Sequence, residues 1–419
     1  MPMFVLAVLA AMVLTAAALK WRSIGRTASG SVTATQPSGR STAPSARVMG
    51  LGAGVPPPDA PVPHGTQMLH GDARHTHRSA GRATTSPPAV VWTHDVGGPV
   101  EAQVTVSPDE QTLYAASLGG TLTALARSDG SVRWSLDLGD RVYSTPLVAD
   151  DGAIYVGSDA KKFSAITPEG KVKWSLDTDG DADSGAAMMP DGAVVFAAGR
   201  VVYAVTPAGY VRWRFTAKRK IFTAPAIGPQ GRIFVGSQDH HVYALAPDGH
   251  LAWSLDLGAD VDGAPAIDDH GAVYVGTDGD EVVRIDPDDG RVVWRSNMGG
   301  YVRGTLSVAR NGDVLAGVYG PRPRAARLRA DDGGIRGDFS IQGTGARDFG
   351  VHGGALEDAA GTLVFGAQDD ALYAVDASGK LLWRYVSGGD VDAPATLLSD
   401  GTLVVGSDDG SVRAFRPAG

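Results

Sequence analysis

The sequence of 419 residues contains no cysteine. That excludes disulfides, thiolate metal ligands, a cysteine nucleophile and a lipid-modified cysteine near the N-terminus. It leaves the compartment open, because exported proteins can fold without disulfides. No G-x-S-x-G, P-loop or H-E-x-x-H stretch is present, so three common catalytic frameworks are missing. Helical periodicity and helix caps are absent beyond residue 88. Positive charge is scarce there too. Residues 1–88 hold eight Lys/Arg against Asp59 and Asp72, whereas the remainder holds 29 basic and 44 acidic residues, a net charge of −15. A body this acidic repels a phosphate backbone, so no nucleic-acid partner is expected.

One long hydrophobic run exists, at residues 3–19. It is at the short limit for a membrane-spanning helix and within the reach of a signal-peptide core. Ala16 to Ala18 offer a small-residue cleavage site, while Lys20, Arg22 and Arg26 follow the run, as they would after an uncleaved anchor with its C-terminal side in the cytoplasm. Residues 1–22 are therefore read as a signal peptide or membrane anchor. Residues 23–64 are rich in Ser, Thr, Ala, Gly and Pro and read as a disordered linker. Residues 65–88 form a lead-in segment, and residues 89–419 form the main domain.

What fills the main domain is a repeat. Tryptophans stand at Trp92, Trp134, Trp174, Trp213, Trp253, Trp294 and Trp383, at intervals of 39 to 42 residues except for a last gap that holds two units. These tryptophans are assigned a structural role. In the sixth unit Gly337 stands where tryptophan is expected, and Phe339, two residues on and on the same side of a strand, is expected to fill the space. The unit from Trp253 contains the short β-rich runs "GAPAID", "AVYVGT", "EVVRI" and "RVVW", separated by glycine and aspartate turns. Four antiparallel strands at this period predict an all-β fold, a β-propeller. The second-strand run recurs eight times, from "TLYAAS" to "TLVVGS", so eight blades are expected. The last unit stops before its fourth strand, at "SDDGSVRAFRPAG". The stretch "AVVWTH" (residues 89–94) is an unpaired fourth strand ahead of the first unit, and we expect the two ends to pair and close the ring.

The spacing of Ala, Gly and Trp in five units (for example Ala244, Gly249 and Trp253), together with "YVGS" and "YALAPDG", resembles the PQQ-type (pyrroloquinoline quinone) propeller repeat over about residues 88–419. "MLHGDARHTHRS" resembles the lead-in found before such propellers. The resemblance implies one of two functions. Quinoprotein dehydrogenases hold the quinone and a calcium ion over the ring axis; BamB-type factors are non-catalytic and bind protein partners during outer-membrane protein assembly. The chain lacks the vicinal cysteine pair, the length and the inserted loops of the enzymes, and it lacks the lipobox cysteine of BamB. The non-catalytic side is the nearer one, with no cofactor and no metal expected. The expectation is an exported, periplasmic or cell-envelope scaffold that binds a protein partner or small ligand, is monomeric, and meets the membrane through its N-terminal segment if that is uncleaved. The alternatives are a small dehydrogenase binding quinone and calcium, with Asp262 or Asp183 as base, and a ligand-sensing propeller.

A candidate site follows from the repeat. Nine residues after each tryptophan comes one variable residue: Glu101, Tyr143, Asp183, Phe222, Asp262, Arg303 and Asp392, with His352 aligned by its neighbours in the seventh unit. The next residue is always small, as the crowded axis requires. The variable set should ring the channel mouth on the face carrying the blade-to-blade connections, as a ligand or cation site or as solvated loop residues. Three further stretches carry residues with metal or ligand chemistry. "DTDGDADSG" (residues 177–185) lacks the glycine and glutamate of a calcium loop and reads as an acidic inter-blade loop. His70, His75 and His77 match no strong metal spacing and read as lead-in packing. Lys218 to Lys220, Arg322 and Arg324 read as solvated charges on the connection face.

Overall fold

Residues 67–417 are described by a computed structural model of the protein. The expectations for residues 1–22 and 23–64 lie outside the described residues. Among those described, no helix is long and apolar enough to cross a membrane.

Thirty-two strands form eight four-stranded antiparallel sheets. Blades 1 to 7 are continuous in sequence, with fourth strands ending at residues 137, 177, 216, 256, 297, 340 and 386. Blade 8 takes three strands from residues 396–417 and its fourth from Pro88–Asp95. The closing pair runs from Pro88 opposite Pro417 to Asp95 opposite Ser411, with a bulge between Val90 and Trp92. Trp92 faces Ala414 as Trp134 faces Ala124, and the same bulge follows. The closing strand thus reproduces the local register of an ordinary blade.

Burial explains why the strands look unlike one another. Second strands such as Ile154–Ser158 are buried throughout, whereas fourth strands such as Val172–Asp177 alternate exposed and half-buried residues, because only one face meets a neighbouring blade. The innermost strands are two or three residues long. They are shorter than the sequence runs suggest, since crowding at the axis ends regular pairing early.

The tryptophans hold neighbouring blades together. Each except Trp383 packs on the glycine of the next blade's last turn. A Cβ on Gly249, which has φ +86°, would lie 2.5 Å from the Trp213 ring, so both the backbone angle and the contact demand glycine. The indole N–H donates to a carbonyl of that same turn: Trp134 to Pro168 at 2.8 Å, Trp213 to Pro247 at 2.9 Å and Trp294 to Ala330 at 2.9 Å. Blade 8 has no such turn, because the chain is broken there, and Trp383 donates instead to Thr84 in the lead-in, at 2.8 Å.

At Gly337 the expectation fails. Phe339 does not fill the missing ring's place. It occupies the position held by Phe215 and Tyr385 in their own blades, packing 6.0 Å from Phe365 and 5.4 Å from Tyr373. Side chains two apart on a strand share a face but stand about 7 Å from each other, so one cannot stand in for the other. A cavity of about 280 Å³ remains, with Gly337, Phe339 and Gly379 in its lining.

The lead-in segment crosses the axis at the end opposite the connections. Its carbonyls accept from inner-strand amides of several blades in turn: Gln67 from Val148, Ala73 from Ile227, Arg74 from Ile267, Thr76 from Val308 and His77 from Glu357.

Candidate functional site

Each of the eight variable residues, from Glu101 to Asp392, is half-buried and follows a buried apolar residue. That preceding residue (Val100, Val142, Ala182, Ile221, Val261, Val302, Val351 or Val391) donates its backbone N–H to the second turn of the preceding blade, at 2.8 to 3.5 Å. Its side chain lies against that blade too: a Cβ on Gly276 would meet Val302 at 2.4 Å. The anchored residue fixes the backbone, and alternation turns the next side chain toward the mouth. The small residue after it is equally constrained. A Cβ on Gly304 would fall 1.1 Å from the His352 carbonyl oxygen.

The structure adds partners that the repeat arithmetic missed. In six blades the residue at the tip of the second turn, at the place after the "GS" of "YVGS", sits beside the variable residue of the next blade. Asp278 pairs with Arg303 through both carboxylate oxygens, the shortest contact being 2.7 Å. Gln238 donates to Asp262 at 3.4 Å and Gln368 to Asp392 at 3.2 Å. Tyr319 and His352 share a hydrogen bond of 2.5 Å. Asp159 and Asp408 lie close enough to Asp183 and Glu101, respectively, for each pair to shift a pKa. A third contribution comes two residues before the ring, in the D-x-D pairs Asp181/Asp183, Asp260/Asp262 and Asp390/Asp392. The signal was present in the sequence as Gly-Ser/Thr/Ala-Asp/Gln and Asp-x-Asp. It becomes a site only when blade n is known to meet blade n+1.

Negative charge dominates this mouth and is poorly compensated. Burial, reinforced by Asp408 and Asp392, pushes Glu101 up to about 7. Burial and the neighbouring Asp392 do the same for Asp390, also to about 7. Asp408 rises to about 6 through burial and Asp392. Asp159 rises to about 7 through burial and the Asp183 carboxylate beside it, and Asp262 to about 6 through burial and Asp278. One carboxylate oxygen on each of Asp159, Asp183, Asp262, Asp392 and Asp408 is buried without a hydrogen-bond partner. Asp390, Asp392 and Asp408 bring one oxygen each to within 4.8 Å of one another.

The basic groups are few and occupied. Lys220 contacts Asp183 at 2.8 Å and Asp181 at 3.4 Å. Burial disfavours its charge, but those two aspartates outweigh it and hold its pKa above the usual lysine value. Arg141 pairs with Asp159 at 2.8 Å. Lys220 and Arg324 correct the reading of solvated charges: Lys220 also lies over the Phe222 ring, and Arg324 pairs with Asp338 and donates to the Met298 carbonyl. In the 177–185 loop, Asp179 accepts from the Tyr203 hydroxyl at 2.8 Å, while Asp181 and Asp183 turn to Lys220; the loop joins the mouth and is not a separate calcium loop.

The three histidines lie at the other end of the channel, fully buried. His70 and His77 stack with ring centroids 4.0 Å apart. His77 contacts the Gly354 and Ala395 carbonyls, and His75 the Pro265 carbonyl. The His70 amide donates to Gln103, whose side-chain N–H groups reach Ala395 and Thr396. Burial holds all three imidazoles below their ordinary pKa, His77 at about 4.

The mouth suits cations. Carboxylate oxygens at this spacing fit a hard cation such as calcium. A quinone bearing three carboxylates fits poorly: at the mouth it would face Glu101, Asp262, Asp390, Asp392 and Asp408, while Lys220, Arg141 and Arg303 are already paired. Without the calcium that the alternative reading pairs with it, pyrroloquinoline quinone does not fit these residues.

A search of curated protein sequences finds no match. Among solved structures, the chain is similar to BamB from Moraxella catarrhalis, with 18% identity and a TM-score of 0.64 over 79% of this chain and 98% of that one. It is also similar to a europium-containing methanol dehydrogenase, with 11% identity and a TM-score of 0.69 over 84% and 98% of the two chains. The quinohemoprotein alcohol dehydrogenase of Comamonas testosteroni gives 13% identity and a TM-score of 0.69 over 86% and 82%. At these identities the likeness is one of fold, and the fold serves both binders and enzymes. The sequence model of one family, described as outer membrane protein assembly factor BamB, matches residues 85–209, 197–349 and 324–418. On that match, which spans nearly all of the propeller, the chain belongs to the BamB family of PQQ-type repeat propellers.

Proposed function

We propose that this protein is a non-catalytic binding scaffold of the cell envelope whose acidic channel mouth receives a positively charged group. The observation that carries the reading is the set of buried, unpartnered carboxylate oxygens on Asp159, Asp183, Asp262, Asp392 and Asp408. Buried acceptors without donors cost free energy, and a bound cation removes that cost. The family's description as an outer-membrane assembly factor supports the envelope location.

The test is calorimetric titration at pH 7.5 with calcium, with magnesium and with a short lysine-rich peptide. At least one should bind the unaltered protein, and binding should weaken at pH 5.5, where the raised carboxylates are protonated. The triple variant Asp183→Asn, Asp262→Asn, Asp392→Asn should lose it. Absence of binding by all three probes, or equal binding by the triple variant, overturns the proposal.

A further inference from the structure

We propose that the space between blades 6 and 7 is a binding site for a small planar aromatic ligand of the indole class. The inference is independent of the mouth. It rests on one interruption of the molecule's own repeat.

At the other blade junctions an indole ring projects from the fourth strand, from its third residue in every case but Trp92, the fifth residue of Pro88–Asp95. In blade 6 that residue is Gly337, and a Cβ built on it would meet nothing within 4 Å. The strand itself is regular. Ile335–Ser340 shows the same alternation of burial as Val132–Asp137, and it pairs in the same register, with the same bulge. The receiving wall is preserved as well. Gly379 keeps φ +85°, the conformation that Gly249 adopts beneath the Trp213 ring, yet its nearest neighbour is a backbone oxygen and not a ring. Both halves of the socket are present and only the ring is missing. The resulting cavity of about 280 Å³ is walled by Leu315, Ala326, Ala355, Phe365 and Val375, with Phe339 beside them. Apolar cavities of roughly 150 Å³ stay dry and take up benzene, so this one has room for a bicyclic ring.

Blade 5 supplies the template for the polar end. There Arg284 stands opposite Trp294 across the strand pair, and both donate to the Ala330 carbonyl, at 2.8 and 2.9 Å. In blade 6 Arg327 stands opposite Gly337 and donates to the equivalent Ala377 carbonyl at 3.2 Å. Arg327 is held in place by Asp313 at 2.6 Å, so it does not swing into the space. A carbonyl accepts two hydrogen bonds, and the lone pair that Trp294 uses on Ala330 is left for a ring N–H on Ala377. The chemistry is therefore specific: a flat ring of indole size, one N–H donor at its edge, and an arginine alongside.

Free indole is the probe. Calorimetric titration into the full chain should give one site, with a dissociation constant on the order of 0.1–1 mM for a ligand of this size. 1-Methylindole, which lacks the donor, should bind several-fold more weakly. The series Gly337→Ala, Gly337→Phe, Gly337→Trp fills the space from inside, and indole affinity should fall in that order, with no binding to the last. Gly337→Trp should also raise the thermal midpoint. Should that variant fail to fold, the alanine and phenylalanine members still rank the effect, since a Cβ there has open space. No indole binding to the unaltered chain, or undiminished binding to Gly337→Phe and Gly337→Trp, overturns the proposal.

Discussion

The two ends of the propeller channel are built from the same eight inner strands and solve opposite problems. At one end the lead-in segment supplies a backbone partner to strand after strand, and Gln103 accepts from the His70 backbone amide and donates to Ala395 and Thr396, although the His70 ring nitrogens and His75 Nε2 stay buried without partners. At the other end carboxylates crowd together with oxygens that nothing satisfies. A propeller needs its blades packed; it does not need either mouth to be quiet. The sealed end reads as architecture, and the open end as a place where stability has been given up for binding.

The largest effect should come from removing the sealing chain. Deleting residues 67–95 takes away the lead-in and the strand that completes blade 8. It leaves the Ser411–Pro417 edge unpaired, and we expect no cooperative thermal transition by circular dichroism. Retention of a native transition would mean that the ring closes without it. Next in size is Gln103→Leu, which orphans the buried His70 amide and should cost about 1–3 kcal/mol by urea denaturation. At the open end the sign should reverse. Glu101→Gln with Asp390→Asn should raise the thermal midpoint at pH 8 by ~2 °C and leave it unchanged at pH 4. A loss of stability at pH 8 would show that those carboxylates are satisfied.

Acidity should separate the two ends with the smallest but most telling effect. Glu101, Asp159 and Asp390 titrate near 7 when folded, against about 4 in an unfolded chain. The folded state then holds more protons between those values, so the mouth destabilises the fold as pH rises from about 4 to 7. The buried imidazoles run the other way. Their folded pKa values lie below the unfolded value of about 6.5, so their contribution is complete above that pH and is lost as pH falls below it. The triple variant Asp183→Asn, Asp262→Asn, Asp392→Asn removes neighbours that push Asp159 and Asp390 up, so a scan of urea midpoint against pH should show its decline between pH 5 and 8 flattened while the acid-side loss from the histidines persists.

The fold was legible because a repeat multiplies weak signals. One glycine turn is ambiguous; eight second strands at a fixed period are not, and the stray strand carrying Trp92 predicted its pairing with the last unit, where Trp92 faces Ala414. The mouth was half legible. Counting nine from each tryptophan found Asp262 and Arg303, yet missed Gln238 and Asp278, because those contacts cross between blades and no spacing within a unit encodes them. Phe339 was misassigned for a related reason: the sequence showed which strand face it shares with Gly337, but not the lateral distance that keeps it from the empty place.

The pairing of Pro88–Asp95 with Ser411–Pro417 also sets an order of events during synthesis. Blades 1 to 7 can each assemble from neighbouring residues as they appear. The strand carrying Trp92 emerges more than three hundred residues before its partner, and until then it offers unpaired backbone groups on both edges. Closure is thus a single late step of long loop entropy joined to many early local ones. We expect refolding to show fast acquisition of strand signal followed by a slower phase, in which Pro88–Asp95 pairs with Ser411–Pro417 and Trp92 comes opposite Ala414, giving that phase a tryptophan fluorescence signature of its own.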